Sequence, residues 1–299
     1  NVVANAGSTQ LSGKASQASN GTYQVKVQIN GGSIYTTSLD SNGHFQFANL
    51  PTFQGGETVS LWVQGLSNRT GLPLLTSSTV SQTVAYSVPQ LTVTQIIERK
   101  NAQGLWEAAN SVVSGQIIRF TLTTRLTNQP ATWMNQQLRA TVPKGLSQLS
   151  AATLTKQSAA GLSTPIAGLQ LLTDSSTGLP YWSYHNSLPA DNFTEANTQF
   201  TLQYTATVTE EWINQFLLFS STVTGNDGGG TPITPITKEQ SLPIKNGTLR
   251  FVQIPTTVSF KNLPFPSKRT LYSPSTISAP FLIADGRVAK TPWRLLVRE

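Results

Sequence analysis

Apolar and polar residues alternate with a period of two along much of the chain, and this alternation predicts β-strands with one buried face. It is clearest at residues 23–29, 59–63 and 200–208. Shorter alternating runs at 34–37 and 44–47 follow Asn-Gly-Gly and Ser-Asn-Gly turns, which are typical of hairpins. Residues that favour helices are too sparse for a helical bundle. We therefore expect an all-β protein.

Breaks in this pattern divide the chain into three parts. Residues 87–90 read as a linker because Pro89 cannot donate a hydrogen bond to a sheet. The glycine-rich run at 225–230 predicts a flexible break. Further strands of the middle part are predicted at 91–98, 116–125, 138–142 and 216–224. The predicted domains are residues 1–88, 89–237 and 238–299.

Charge is distributed unevenly along the chain. Only 11% of the residues are charged, and the formal net charge is +7. Residues 238–299 hold ten cations and three anions, so they account for the whole excess. A neutral body joined to a cationic end predicts that this end contacts an anionic partner.

The composition excludes several classes of site and partner. Cysteine is absent, so disulfides, thiolate metal ligands and cysteine nucleophiles are excluded. No run approaches the roughly 20 apolar residues that cross a bilayer, and we expect no membrane span. The sequence starts at Asn1 and not at Met, with an Ala-Asn-Ala triplet nearby, which indicates either the end left by a cleaved export signal or a boundary of the expressed segment. We therefore expect an extracellular protein.

Two segments carry resemblances to known β-sandwich families. The segment "TTSLDSNGHFQFANLP" is similar to prealbumin-like, carboxypeptidase-regulatory-like modules, which form stalks of surface proteins. The segment "VTQIIERKNAQGLWEAANSVVSGQIIRFTLTTRL" resembles immunoglobulin-like repeats of bacterial surface proteins. These resemblances imply two tandem β-sandwiches, the first prealbumin-like and the second Ig-like.

The C-terminal segment carries a third resemblance. The strings "NGTLRFVQIPTTVSF" and "ADGRVAKTPWRLLV" resemble the first half of the WxL domain, a β-rich module that attaches proteins non-covalently to the wall of low-GC Gram-positive bacteria and associates with peptidoglycan. Members of that family carry a second Trp-x-Leu further on, and this sequence has only the one at Trp293. The resemblance implies binding to peptidoglycan or another anionic wall polymer, such as teichoic acid.

The residues expected to contact that polymer combine positive charge with one aromatic side chain. Trp293 and Leu295 share one face of a strand, and Arg294 takes the other. The predicted wall-polymer-binding residues are Lys268, Arg269, Arg287, Lys290, Trp293, Arg294, Leu295 and Arg298. Nucleic acid is a poorer partner for these cations, because they are spread along predicted strands and no nucleic-acid fold signature is present.

Residues that could support catalysis are scarce. The only histidines are His44 and His185, which lie in different predicted domains, so no zinc site or catalytic triad is expected. Acidic turns at Asp40 and near Asp227 are explained by turn chemistry without calcium. A predicted aromatic loop that includes Tyr181, Trp182, Tyr184 and His185 is a candidate ligand site. We expect no enzyme activity, no metal and no cofactor.

Three functions fit these observations. The first is a non-catalytic surface protein whose basic end holds it to the cell wall, with the β domains as a stalk or adhesive region. The second is a subunit of a surface fibre or pilus-like assembly, in which an incomplete C-terminal sheet or the free N-terminal strand adds to a neighbouring copy. The third is an adhesin for host glycan or matrix that uses the aromatic loop.

Overall fold

The structure is a computed structural model of the chain. It describes residues 2, 4–16, 21–67, 69–70, 73–186, 188–209, 215–245, 249–259, 274 and 276–285. Within these residues the regular elements are strands, apart from one 3₁₀ turn at Pro189–Asp191. The prediction of an all-β protein is confirmed.

The described residues of the first module form seven strands in two sheets. These strands are β1 (Leu11–Lys14), β2 (Thr22–Ile29), β3 (Ile34–Ser38), β4 (His44–Phe47), β5 (Thr58–Leu66), β6 (Pro73–Thr76) and β7 (Val80–Thr83). The larger sheet has the order β3-β2-β5-β6, and β7 also pairs with β5, whereas β1 and β4 form a two-stranded sheet. Val25, Val27, Phe45 and Phe47 alternate inward and form much of the core between the sheets.

The N-terminal residues belong to this module. Ala4 is buried in its core, Asn5 forms a bridge with Ala85, and the amide of Gly7 donates to the carbonyl of Phe53 at 2.8 Å. The hypothesis of a free N-terminal strand that could add to another copy is therefore wrong for residues 4–7. Burial and main-chain hydrogen bonds hold them in their own module.

In the second module, thirteen strands are formed by the residues that the structure describes. They are β8 (Leu91–Lys100), β9 (Trp106–Ala108), β10 (Val112–Val113), β11 (Ile117–Leu126), β12 (Met134–Thr141), β13 (Leu146–Ser147), β14 (Thr153–Gln157), β15 (Ser163–Pro165), β16 (Gln170–Thr173), β17 (Pro180–His185), β18 (Gln199–Val208), β19 (Phe216–Asn226) and β20 (Ile236–Lys245). One sheet has the order β10-β20-β19-β12-β17-β16. The other has the order β15-β14-β18-β11-β8-β9, with β13 also paired to β18.

Aromatic side chains join the two sheets of this module. Phe120 of β11 stacks on Tyr204 of β18 and, across the sandwich, on Phe219 of β19, with ring centroids 5.0 and 5.5 Å apart. All three rings are almost completely buried. Burial of each such side chain contributes about 1.5–3 kcal/mol, so this cluster stabilises the packing of one sheet against the other.

The second module extends beyond the boundary predicted at residue 237. Strand β20 pairs along β19 from Ile236 to Pro243, and its Leu242 and Ile244 are buried in the core. The predicted boundary is therefore wrong, because it would divide a strand that supplies core side chains. The second module ends at Lys245, and the cationic C-terminal segment begins after it.

The glycine-rich run at 225–230 is an ordered turn between β19 and β20. The Asp227 carboxylate accepts hydrogen bonds from the amides of Gly229 and Thr231, at 2.9 and 2.8 Å. A Cβ atom at Gly229 would lie 2.7 Å from the ring of Tyr86, so this glycine permits close packing against the end of the first module. The prediction of a flexible break is wrong, since these contacts fix the turn.

Four strands are described in the C-terminal segment. They are β21 (Leu249–Gln253), β22 (Val258–Ser259), β23 (Thr276–Ile277) and β24 (Leu282–Asp285). β21 pairs with β24 and β22 with β23, both antiparallel. The first of the two strings that carry the WxL resemblance contains β21 and β22, and the second begins with the last two residues of β24.

Candidate functional site

The predicted wall-polymer-binding residues lie outside the described part of the chain. They are Lys268, Arg269, Arg287, Lys290, Trp293, Arg294, Leu295 and Arg298. What the structure describes is the pair of strands before Arg287, in which Leu249 lies opposite Asp285. The wall-binding role of the eight residues remains a prediction.

Charge remains concentrated at the C-terminal end when β20 is counted with the second module. Residues 246–299 hold eight cations and two anions, which gives a net charge of +6, and residues 1–245 carry only +1. The described ion pairs of arginine with carboxylate all lie in the second module, where Arg99 pairs with Glu107, Arg119 with Glu98 and Arg139 with Asp174. Three arginines of this module are thus paired with nearby carboxylates, whereas residues 246–299 contain only two anions for eight cations.

The aromatic segment predicted as a ligand loop is strand β17. Trp182 and Tyr184 point into the core, where Tyr184 packs edge-on against Phe200. Burial, together with the negative charge of Asp191, raises the pKa of Tyr184 to about 12, so its hydroxyl remains neutral. The loop assignment is wrong, and these two side chains are removed from the surface. Tyr181 and His185 remain on the outer face.

A polar groove runs across the outer face of the six-stranded sheet. Its outward side chains include Gln137 and Arg139 from β12, and Tyr181, Ser183 and His185 from β17. Gln137 lies opposite His185, and Arg139 lies opposite Ser183. Thr222 and Thr224 of β19 complete the far side, and the groove encloses about 420 Å³. We call this site the polar groove.

Arg139 is held in place by two neighbours. Its guanidinium carbon lies 3.9 Å from the ring centroid of Tyr181, and its Nη2 donates to the Asp174 carboxylate. The pKa of Asp174 is held well below its usual range by the hydroxyl of Ser176 first, then by Arg139 and by backbone amides. The charged carboxylate therefore persists at neutral pH and fixes the arginine.

Sequence reasoning found two residues of the polar groove, Tyr181 and His185, and missed the rest. Gln137 and Arg139 lie far earlier in the chain, in β12, and Asp174 lies in the turn between β16 and β17. The available signal was that residues 180–185 could form a strand, which would place positions 181, 183 and 185 on one face. No local signal could have revealed the partner strand.

An apolar cleft opens at one side of the first module. It encloses about 670 Å³, and its lining includes Val25, Phe45, Leu61, Trp62 and Val80. Among the described residues β1, which borders this cleft, pairs only with β4. The cleft therefore combines apolar lining with a strand that has an unpaired edge, which is the arrangement used for strand addition.

The remaining candidate residues have structural roles. His44 is exposed on β4 beside Asp40. The pKa of Asp40 is lowered, mainly by the hydrogen bond from the backbone amide of His44, so this carboxylate organises the turn before β4. No group of three or more His, Asp or Glu in the described part of the chain is arranged to hold a metal ion. Within the same described ranges, no helix has the length and apolarity that crossing a membrane requires.

Comparisons with known proteins identify no family. No protein-family model and no curated protein matches the chain. Solved structures that it resembles include BcpA, the major pilin subunit of Bacillus cereus (13% identity, 77% of this chain, TM-score 0.37), and the major pilin SpaD of Corynebacterium diphtheriae (12% identity, 74% of this chain, TM-score 0.36). The chain spans 66% of the BcpA chain and 59% of SpaD. Another is the C-terminal domain of the Streptococcus pyogenes antigen I/II-family protein AspA (10% identity, 80% of this chain and 94% of that chain, TM-score 0.32).

Proposed function

We propose that this chain is a non-catalytic protein of a bacterial cell surface, held non-covalently to an anionic wall polymer by residues 246–299. The two β-sandwich modules act as a stalk that carries any binding surface away from the wall. The observation that carries this proposal is the net charge of +6 in residues 246–299, beside modules that carry only +1.

The polymers of a Gram-positive wall match this charge. Peptidoglycan carries carboxylates and teichoic acid carries phosphates, and both attract Lys and Arg side chains. Trp293 supplies an aromatic face on which a sugar ring can pack. This combination of charge and aromatic contact is what the resemblance to the WxL domain implies, and it needs no covalent link.

The absence of a catalytic role is supported by where the reactive side chains lie. His44 is on β4 of the first module and His185 is on β17 of the second, so they cannot act on one substrate together. The charged carboxylates of Asp40 and Asp227 are engaged by backbone amides. Proton transfer requires an acid or base within hydrogen-bond reach of the substrate, and neither turn leaves its carboxylate free for that role.

The proposal is tested by sedimentation of the full chain with purified peptidoglycan sacculi that retain their teichoic acid. We expect the chain to pellet at about 0.05 M salt and to be released at about 1 M salt, where the screening length falls to about 3 Å. A chain ending at Lys245 is the control and should stay in the supernatant at both salt concentrations. Equal pelleting of the two chains, or retention at high salt, would contradict electrostatic attachment through the C-terminal segment.

A fibre subunit is the second candidate, and the apolar cleft of the first module favours it. A second copy of this chain could supply the strand that fills the cleft. The segment 291–299 suits this role, because Trp293, Leu295 and Val297 alternate with other residues and would present one apolar face. Residues 4–7 do not suit it, since they are part of their own module.

This second candidate predicts a specific pattern of assembly. Val80 lines the cleft and is 64% exposed, so Val80→Lys should block polymers without unfolding the module. Leu75→Lys, at a position 78% exposed and outside the cleft lining, is the matched control. A mixture of the Val80→Lys chain with a chain ending at Lys245 should form one-to-one complexes, because one retains the donor and the other the acceptor. Light scattering at increasing concentration measures this, and polymers formed equally by all variants would rule out the cleft.

A further inference from the structure

The polar groove contains three solvent-accessible polar side chains that form no hydrogen bond with another described part of the chain. Gln137, Ser183 and His185 make no side-chain hydrogen bond among the described residues, and the structure places all three in one groove. The threonines beside them differ. The hydroxyl of Thr222 bonds to that of Thr237 at 3.1 Å, and the hydroxyl of Thr224 donates to the carbonyl of Ile233 at 3.3 Å. The polar side chains without a hydrogen-bond partner among the described residues of this groove therefore lie on β12 and β17.

These groups are displayed on a rigid support. Between their positions, Leu138, Trp182 and Tyr184 are buried in the core and fix the orientation of the two strands. Side chains two residues apart on a strand are about 7 Å apart, and neighbouring strands are about 4.8 Å apart. An amide, a hydroxyl and an imidazole thus extend from the outer face at spacings that the two paired strands set.

The charge of the groove is balanced. Arg139 is its cation, and Asp174 neutralises it through a direct ion pair. The guanidinium also stacks on Tyr181, so its remaining N–H groups are presented in a fixed plane without net positive charge. Such a site favours a neutral ligand that can exchange several hydrogen bonds over an anionic one.

The backbone of the groove excludes a peptide that binds by strand addition. β12 lies between β19 and β17, β17 lies between β12 and β16, and β19 lies between β20 and β12. Both edges of each strand are paired, so no main-chain groups are available for strand addition. Recognition must use side chains alone.

We propose that the polar groove binds a short neutral saccharide. Sugar hydroxyls both donate and accept hydrogen bonds, as do the amide of Gln137, the hydroxyl of Ser183 and the imidazole of His185. The aromatic ring of Tyr181 contributes an apolar contact at the end of the array. The groove volume of about 420 Å³ falls within the roughly 300–1,000 Å³ of small-ligand sites. The residues of this site belong to β12, β17 and β19 and not to residues 246–299, so the proposal does not rest on wall attachment.

The test is titration of the full chain with maltotriose, lactose and N-acetylglucosamine trimer, followed by NMR or calorimetry. We expect at least one of these to bind with a Kd of about 1 mM or tighter. The double variant Gln137→Ala, His185→Ala should weaken that binding roughly tenfold or more, because two hydrogen-bonding groups are removed from exposed positions. Glu239→Gln, on the same sheet but outside the groove, should leave the affinity unchanged, and so should ending the chain at Lys245.

Three outcomes would overturn the proposal. The first is that none of the three saccharides binds at a saccharide concentration of about 10 mM, which is ten times the weakest expected Kd. The second is that binding survives in the double variant, which would place the ligand elsewhere. The third is that only sialyllactose binds and that Arg139→Gln abolishes it, which would show that the arginine is available to anions. The chain ending at Lys245 keeps this test distinct from wall attachment, because it lacks the cationic segment.

Discussion

A chain that ends at Thr237 is expected to lose the fold of its second module, whereas a chain that ends at Lys245 should keep it. The chain ending at Thr237 lacks most of β20, including the buried side chains of Leu242 and Ile244. Each contributes about 1.5–3 kcal/mol when fully buried. It also leaves β19 with an unpaired edge and takes from β10 its parallel partner. The combined loss is on the order of 5 kcal/mol, comparable with the whole stability of many domains.

Thermal unfolding followed by near-UV circular dichroism, with size-exclusion chromatography, measures this difference. The chain ending at Lys245 should show the same transition for the second module as the full chain, and the chain ending at Thr237 should aggregate, since exposed strand edges pair with other chains. Within the full chain, Leu242→Ala should cost about 2–5 kcal/mol. Ser241→Ala, at an exposed neighbouring position, is the matched control and should cost little. Equal transition temperatures for the two shortened chains would show that β20 is dispensable.

The sequence indicated those strands whose alternation is regular. β18 alternates without exception, with Phe200, Leu202 and Tyr204 inward, and its predicted bounds differ from the observed ones by a single residue. β4 was predicted at its observed bounds. In such strands one face meets the core and the other meets solvent, so the pattern of residues reports the structure directly.

β20 escaped prediction because its environment varies along its length. Its first half is mostly exposed and polar, only Leu242 and Ile244 are buried, and Pro243 lies between them. Proline within a run argues against an interior strand. Pro243 is nevertheless part of β20, which lies between β10 and β19. The assignment of this strand depends on tertiary pairing that local sequence does not encode.

The predictions for the glycine-rich turn and for β17 were wrong for a different reason. The glycines at 228–230 suggested flexibility. In the structure, the amide of Gly229 donates a hydrogen bond to the Asp227 carboxylate, and Gly229 packs closely against the ring of Tyr86. In β17 both faces carry aromatic residues, so alternation in hydrophobicity is hidden. Tyr181 is accommodated outside because Arg139, from a distant strand, covers its ring. This contact between Arg139 and Tyr181 depends on the pairing of β12 with β17, which neither segment reveals by itself.

The proposed functions use different residues, although two of them share one segment. The cationic segment follows β20 in the sequence, whereas the polar groove lies on β12, β17 and β19, and the apolar cleft lies in the first module. Ending the chain at Lys245 removes both the wall-binding residues and the proposed strand donor. Val80→Lys changes the cleft alone, so it tests strand addition while the residues proposed for wall attachment and saccharide binding stay unchanged.

Replacement of six cations of the C-terminal segment by glutamine is expected to lower binding to sacculi by more than roughly tenfold. These residues are Lys268, Arg269, Arg287, Lys290, Arg294 and Arg298. The change lowers the net charge of residues 246–299 from +6 to zero and that of the whole chain from +7 to +1. A cation near an anionic surface contributes about 1 kcal/mol at moderate salt. Even a quarter of the summed effect exceeds the free-energy difference of about 1.4 kcal/mol that corresponds to a tenfold change in affinity.

The decisive control removes the same charge from elsewhere. Glutamine at Lys14, Lys26, Arg69, Lys100, Arg125 and Lys238 also leaves the whole chain at +1 but retains +6 in residues 246–299. If the location of charge determines attachment, this variant should bind sacculi almost as well as the unaltered chain, with the same release by salt. If total charge determines it, the two variants should lose binding equally. Equal loss would contradict a dedicated binding segment, because the Debye length of about 10 Å at 0.1 M salt confines strong attraction to cations that lie close to the polymer.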